Sequence, residues 1–402
     1  MSVPPASSPP AASGRPLRVV IAPDSFKGTA SATQAAAALA AGWSAARPDD
    51  IVVTVPIADG GEGTLDVFAA AVPDARREVL EVTGPDGRPV PGAAWLALPD
   101  GSALVELAQA SGLPLMRGLD PLHAHTIGLG QLIGAALAAG ARGVLVALGG
   151  SASTDGGTGV LRALGARFLD AAGQPLPPGG GALADLAAVD LRGLPAAPPE
   201  GIRCLVDVAA PLLGPTGAAA VFGPQKGAGP ADIARLEAGL ARLAELMPGT
   251  GSASMPGTGA ALADQPGTGA AGGTAYGLAA ALGATLVPGA RTIAERAALP
   301  AALAEADLVI TGEGRFDATS LTGKVVGGVL TMAEQAGVPA LLVAGRVDGP
   351  VPPGVSAAVA LVDLAGSPAN AIAEPGRWLT LAGTRLADTS HQSAPAGRLL
   401  RQ

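Results

Sequence analysis

Cysteine is nearly absent from this 402-residue chain, in which Cys204 stands alone. One cysteine excludes an internal disulfide framework and a cysteine-based zinc site, and it fits a reducing cytoplasm. Histidine is almost as scarce, at positions 123, 125 and 391. His123 and His125 have the spacing of a ligand pair, but three histidines are too few for a histidine-rich metal site. Solvated loop positions are the simpler reading. Aromatic residues make up only 2% of a chain that is 49% hydrophobic. The apolar content is therefore Ala, Val and Leu, and packing must rely on small side chains and close backbone approach. Positive charge is in deficit too: 25 Lys and Arg against 33 Asp and Glu leave a net charge of −8. With no basic cluster, nucleic acid is not an expected partner. Long apolar runs are also missing. The uncharged stretch 266–290 has the length of a membrane span but is broken by glycines and two prolines, so no span is expected there. Residues 1–16 lack the basic and apolar regions of a signal peptide. They read as a disordered tail, and residues 386–402 as a second tail.

What is abundant is glycine, at 59 residues, and it punctuates a regular alternation. "LRVVIAP" reads as a buried strand, "DSFKGTAS" as a turn and "ATQAAAALAAGWSAAR" as a helix stopped by Pro48. "IVVTVPI", "ADGGEGT" and "LDVFAAAV" repeat the unit, and "DLVIT", "GEGRFDATSLTGK" and "VVGGVLTMAEQAG" resume it after residue 308. Continuous apolar strands alternating with helices predict a parallel sheet covered on both faces. Between these units the pattern changes. "EVLEV", "VPGAAWLAL" and "SALVEL" are separated by Asp86-Gly87 and Asp100-Gly101, which are hairpin signals. The expected fold is α/β with two α/β domains. A discontinuous parallel domain comprises 17–80 and 285–385, and a mixed domain, 81–284, is inserted into it. Residues 171–203 read as Pro/Gly-rich connection. Of three PGTG units, at 248, 256 and 266, the first two read as an expanded flexible loop.

At least four predicted strands end in loops that combine glycine with charge. These loops carry Asp24, Ser25 and Lys27; Asp59 and Glu62; Gly149, Gly150, Ser151, Asp155, Gly156 and Gly157; and Glu313, Arg315 and Asp317. In open α/β sheets, ligands bind outside the carboxyl ends of the strands. Glycine loops opening a helix let backbone N–H groups reach a phosphate. Carboxylates there can hold Mg²⁺ or act as a base, and Lys and Arg can neutralise phosphate. The composition suits phosphoryl transfer. Each loop also has a plain structural reading: Asp24 as a helix cap, Asp155 in an Asx turn, Lys226 as a solvated loop lysine. Known signatures do not fit. Residues 311–324 fail the Walker A pattern at Ala318 and Val325. Residues 149–153 have Ser153 where a nucleophile elbow needs glycine.

The segments "IAPDSFKGTASA", "PIADGGEGT", "GGSASTDGGTG", "GPQKGA" and "VITGEGRFDATSLTGK" resemble, in this order, the bacterial type I glycerate kinases. The resemblance runs from about residue 17 to 385. It implies two α/β domains, one inserted in the other, with a cleft between them. It also implies phosphorylation of D-glycerate by ATP with Mg²⁺, in glyoxylate and sugar-acid breakdown, with the 2-phosphate as the favoured product. On the positions covered by the resemblance, Asp24, Lys27, Arg315, Asp317 and Lys324 are the expected catalytic residues, with Asp317 or Asp24 taking the hydroxyl proton. Ser25, Asp59, Glu62 and Glu313 are expected to bind substrate. Gly149, Gly150, Ser151, Gly156, Gly157 and Lys226 are expected to hold the nucleotide, and Asp155 and Asp207 the metal. The chain departs from the family pattern at Ala210, Leu129 and Gln131. The expected partners are ATP and D-glycerate, with no nucleic acid or membrane, in a cytoplasmic monomer or homodimer. The alternatives are a kinase of another small hydroxy acid and a non-catalytic ligand-binding regulator.

Overall fold

The computed structural model describes residues 15–248, 258–321 and 324–390. Nearly all of the expected N-terminal tail and most of the loop around the first two PGTG units lie outside these residues. So do Thr322 and Gly323 of the 311–324 loop.

The apolar runs form the strands they predict. β1 (Arg18–Ile21), β2 (Ile51–Thr54), β11 (Leu308–Phe316), β12 (Ala340–Val347) and β13 (Val355–Ala360) build a five-stranded sheet in the order β13-β12-β11-β1-β2. Every pairing in it is parallel. The second sheet has six strands in the order β10-β9-β6-β5-β4-β3. They are β3 (Arg76–Thr83), β4 (Pro89–Ala97), β5 (Ala103–Glu106), β6 (Val144–Ala147), β9 (Ile202–Leu205) and β10 (Thr285–Val287). β3, β4 and β5 pair antiparallel, as the Asp-Gly turns predict, and the rest pair parallel. Residues from both ends of the chain thus build one sheet, and residues between them the other. Two elements depart from the expected reading. The stretch read as plain connection contains β8 (Ala188–Asp190), which pairs antiparallel with β7 (Arg167–Leu169). The helix Pro375–Ser390 runs beyond residue 385, where a tail was expected.

Small side chains set the packing. Helix Ala32–Ala46 crosses helix Pro375–Ser390 at Gly42 and Gly383. A Cβ on Gly42 would stand 1.9 Å from the Thr380 carbonyl oxygen, and one on Gly383 2.3 Å from that of Leu39. Glycine is what lets these backbones touch. A continuous apolar layer lies between the two sheets: Val20 and Ala22 meet Leu96, Leu104, Leu145 and Leu205, with Phe68 and Ile293 of intervening helices. This layer fixes how the carboxyl ends of the two sheets face one another. Helix Pro230–Leu246 buries Leu236, Leu240 and Leu243 at the helical spacing read from the sequence, packed on the Leu183–Asp185 turn and on helices Ala218–Phe222 and Thr258–Ala263. Among the described residues, no helix is long and apolar enough to cross a membrane.

Candidate active site

Chain order along the five-stranded sheet reverses between β1 and β11. From there the chain proceeds outward through β2 on one side and β12 and β13 on the other. A crevice opens at such a reversal, at the carboxyl ends of the strands. Here β1 stops pairing at Ile21 with Ile310, while β11 continues along β12 to Phe316. The Asp24 N–H still donates to the Gly312 carbonyl at 2.8 Å. Asp24 and Glu313 therefore come to lie side by side. The resulting cleft has a volume of about 460 Å³. Asp24, Ser25, Lys27, Asp59, Glu313 and Asp317 line it, with Arg315, Lys324 and Arg346 as further cations. Its outer wall is apolar, formed by Leu361, Val362, Ala371 and Ile372.

Asp24 is 9% exposed. Its carboxylate accepts one N–H, from Ser25 at 2.6 Å. Burial, then the charge of Asp59, push its pKa up to about 7, with Glu313 adding to the rise. Helix Ala32–Ala46 is capped by Ser31 and Gln34 in a capping box, so Asp24 is not its cap. Glu313 is 8% exposed; Ser320 hydrogen-bonds to its carboxylate, and its Oε1 is buried without a hydrogen-bond partner among the described residues. Burial raises its pKa as well. The neighbouring cation Lys27 is exposed and stands 3.8 Å from Asp59. Asp24, Asp59 and Glu313 border one cleft and feel one another's charge, and Glu313 has an oxygen without a partner among the described residues. A hard dication that keeps most of its water fits such a set. Among the described residues, no group of three or more His, Cys, Asp or Glu side chains is arranged as a metal site by itself. Mg²⁺ also draws ligands from substrate phosphates, so the fit does not require one.

A smaller lobe, of about 270 Å³, continues from Lys27 and Asp59 toward the carboxyl ends of β6 and β9. It exists because two loops meet glycine to glycine. The Gly149 N–H donates to the Gly60 carbonyl at 3.0 Å, and a Cβ on Gly149 would stand 2.3 Å from the Gly61 Cα. Gly149, Gly150, Ser151, Asp207 and Lys226 line this lobe. Lys226 is only 2% exposed and donates to the Ser153 carbonyl. Burial lowers its pKa to about 8. It is not the solvated loop lysine of the plain reading.

Several expected site residues take other places. Asp155 is fully buried. Its Oδ1 accepts from Gly157 N, and its Oδ2 from Thr126 N, Thr126 Oγ1 and Gly159 N, at 2.8 to 3.2 Å. It joins two helix starts and does not line the cleft, so this geometry gives it no opening toward a metal. The plain Asx-turn reading holds for it. Gly156 and Gly157 pack against Leu243 and Thr274 and cannot cradle a ligand. Asp207 borders the small lobe, but its two oxygens each accept a backbone N–H, from Gly289 and Ala290, at 2.8 Å. That makes it an anchor for helix Gly289–Arg296. Burial first, and Asp59 second, raise its pKa to about 6. Glu62 is exposed and lines neither lobe. Asp317 and Arg315 reach the cleft wall but are partly engaged. Asp317 Oδ1 accepts from Thr319 N and Oγ1, which lowers its pKa, and Arg315 Nε donates to Asp348 at 2.7 Å. Lys324 Nζ donates to Thr319 Oγ1 at 2.9 Å. His123 is exposed and pairs with Asp120, whereas His125 is buried, so the pair is not jointly solvated.

Sequence reasoning missed two groups. Arg346, within the last residues of β12, and Asp348 just after it stand between Gly345 and Gly349, another strand end that combines glycine with charge. Glu106, at the end of β5, is fully buried and accepts from Gly63 N and Leu65 N. An acid closing the apolar run "ALVE" was the available signal. Leu129, Gln131 and Ala210, where the chain departs from the family pattern, line neither lobe. Leu129 is core, Gln131 bonds to Thr83, and the Ala210 carbonyl accepts from Gly267 and Gly269.

Buried acids facing a row of cations, at the reversal point of a parallel sheet, are what an enzyme of phosphoryl transfer requires. Comparison with known proteins narrows that class. The Glycerate kinase family profile matches residues 19–391. The "Glycerate 2-kinase" of Escherichia coli (strain K12) is 41% identical over 324 residues, covering 77% of this chain and 80% of that protein. A "Glycerate kinase" of Bacillus subtilis (strain 168) is 40% identical over 313 residues, covering 77% and 79%. A crystal structure of a putative glycerate kinase 2 from Salmonella typhimurium LT2 superposes with a TM-score of 0.77 at 37% identity. It covers 94% of this chain and 99% of its own. The chain belongs to the glycerate kinase family, and it is an enzyme of that family's kind.

Proposed function

We propose that the chain phosphorylates D-glycerate at its 2-hydroxyl, with ATP as donor and Mg²⁺ as the required cation, in the cytoplasm. The observation that carries this reading is the meeting of Asp24, Asp59 and Glu313 with Lys27 and Lys324 on one cleft. The 2-position is supported by the name of the Escherichia coli relative. The two sheets mark two domains in this reading, one inserted in the other, with the reaction where their carboxyl edges meet.

In the reaction the glycerate hydroxyl oxygen bonds to the γ-phosphorus, the bond from that phosphorus to the bridging oxygen breaks, and ADP leaves. Asp24 takes the hydroxyl proton. Its pKa of about 7 suits a general base near neutrality, whereas the engaged and lowered Asp317 is the poorer acceptor. Asp59 and Glu313 would hold Mg²⁺, which when bound offsets the charge of the phosphates. Lys27 and Lys324 stand where fixed positive charge stabilises the moving phosphoryl group.

A coupled assay with D-glycerate, ATP and Mg²⁺, with the product resolved as 2- or 3-phosphoglycerate, tests the reading. Formation of 2-phosphoglycerate that stops with EDTA is expected. No ADP release with glycerate, or a marked preference for another hydroxy acid, would sink it.

A further inference from the structure

We propose that the smaller lobe is the acid subsite, where Lys226 takes the carboxylate of the hydroxy acid, and that the nucleotide occupies the larger lobe. The inference rests on the kinase reading of this cleft. It exchanges the role that the glycines at 149–157 suggest in the sequence, which is to cradle nucleotide phosphates.

Three observations carry it. First, the phosphate site those glycines would offer is already filled. A helix start after a glycine loop binds anions through free N–H groups. Here the N–H groups of Gly157 and Gly159 are taken by the carboxylate of Asp155. The protein has placed its own anion there, and Gly156 and Gly157 are packed under Leu243 and Thr274.

Second, the two lobes differ in size and in how many cations they carry, although carboxylates line both, Asp24, Asp59, Glu313 and Asp317 in the larger and Asp59 and Asp207 in the smaller. The larger lobe has Arg315, Lys324 and Arg346 on its walls, besides the shared Lys27, and an apolar flank of Leu361, Val362 and Ile372. That combination suits a polyanion carrying a flat apolar base. The smaller lobe, about 270 Å³ against about 460 Å³, has one cation of its own, Lys226. A three-carbon monoanion matches it.

Third, Lys226 is a buried cation with no ion pair of its own: the opposing charge that acts on it, Asp155, is already held by four donors. Lys226 is 2% exposed, and its ammonium reaches one backbone carbonyl, that of Ser153. Among the described residues, no carboxylate lies within ion-pair distance of it. A buried ammonium is costly without a partner, and the lobe it lines is where a ligand carboxylate can supply one. Ser151 stands on the same wall, and Leu148, Leu205 and Phe222 offer apolar surface for the carbon chain. An acid held there extends its hydroxyl toward Asp59 and Lys27, which both lobes share, and so toward Asp24.

Lys226→Met keeps the side-chain volume and removes a buried charge, so folding is expected to survive with an unchanged or higher melting temperature. The test is steady-state kinetics of wild type and Lys226→Met, with calorimetric titration of D-glycerate and of a non-hydrolysable ATP analogue as independent binding readouts. The expected result is a rise of at least about tenfold in KM and Kd for glycerate, with nucleotide KM and Kd within about twofold. Weakened nucleotide binding, or no change for either ligand, would overturn the assignment. If the wild-type chain makes no phosphoglycerate at all, the kinase reading has failed separately. Titration of a panel of small hydroxy acids into wild type and Lys226→Met still decides whether Lys226 holds the acid.

Discussion

Asp24 and Asp155 sit on loops that leave parallel strands, β1 and β6, and both are shut away from solvent, yet their surroundings are opposite. Asp155 receives four donors and ties the start of helix Ile127–Ala138 to that of helix Thr158–Ala163. Asp24 receives one, and faces Asp59 and Glu313. The same contrast separates the two sheets. Glu106 and Asp207, from the six-stranded sheet, each accept two backbone N–H groups at helix starts. Strand order in that sheet never reverses, whereas in the five-stranded sheet it reverses at β1 and β11. Where order is monotonic, acids become clamps that hold helices in place. Where it reverses, the acids facing the crevice have fewer partners, as a reactive centre would need.

Substitutions can break this contrast. The largest effect is expected at Glu313. Glu313→Gln should lower turnover about 10³-fold and raise the Mg²⁺ concentration needed for half activity, with little change in melting temperature. A variant that keeps both kinetic constants would remove Glu313 from the centre. Asp155→Asn should do the reverse. One amide oxygen and one NH₂ cannot accept four donors, and the loss is expected to be about 3 kcal/mol of folding stability, with nucleotide KM unchanged in the protein that remains folded. Denaturant unfolding checks this. A smaller cost, about 2 kcal/mol, is expected for Gly149→Ala, whose Cβ would force apart the backbones at 61 and 149. It should also loosen both substrates, read as a joint rise in KM. Smallest is Arg315→Ala. The guanidinium is exposed and held by Asp348, so stability should shift by no more than about 0.5 kcal/mol. Turnover should fall less than with Lys324→Ala, whose ammonium, among the described residues, is bound to a threonine hydroxyl and to no carboxylate.

Much of the fold was legible because the strands of the parallel sheet are continuous apolar runs bounded by glycine turns, a pattern with one natural reading. β7, β8 and β10 were not, because each has three residues and no period to show. The site was legible as a set of loops, but not residue by residue. Asp24 and Asp155 look alike in sequence. What distinguishes them is the donor Thr126, 29 residues from Asp155. The burial of Lys226 depends on loops brought together over 73 residues, and the engagement of Arg315 on Asp348, 33 residues away. Long-range partners of this kind leave no local signature.

In the proposed mechanism Asp24 is a buried acid that the fold tolerates at a cost because the reaction uses it. The direct measurement is Asp24→Asn, read for both turnover and thermal stability without ligand or metal. A carboxyl whose pKa is raised to about 7 in the folded state destabilises the fold at pH above 7. That penalty shrinks as pH falls through 7 and is gone below the ordinary carboxylate range. Asp24→Asn should therefore raise the melting temperature at pH 8, with a smaller gain at pH 5, while lowering turnover by at least about 10²-fold. Near-normal turnover, or a fall in melting temperature like that expected of Asp155→Asn, would contradict the account.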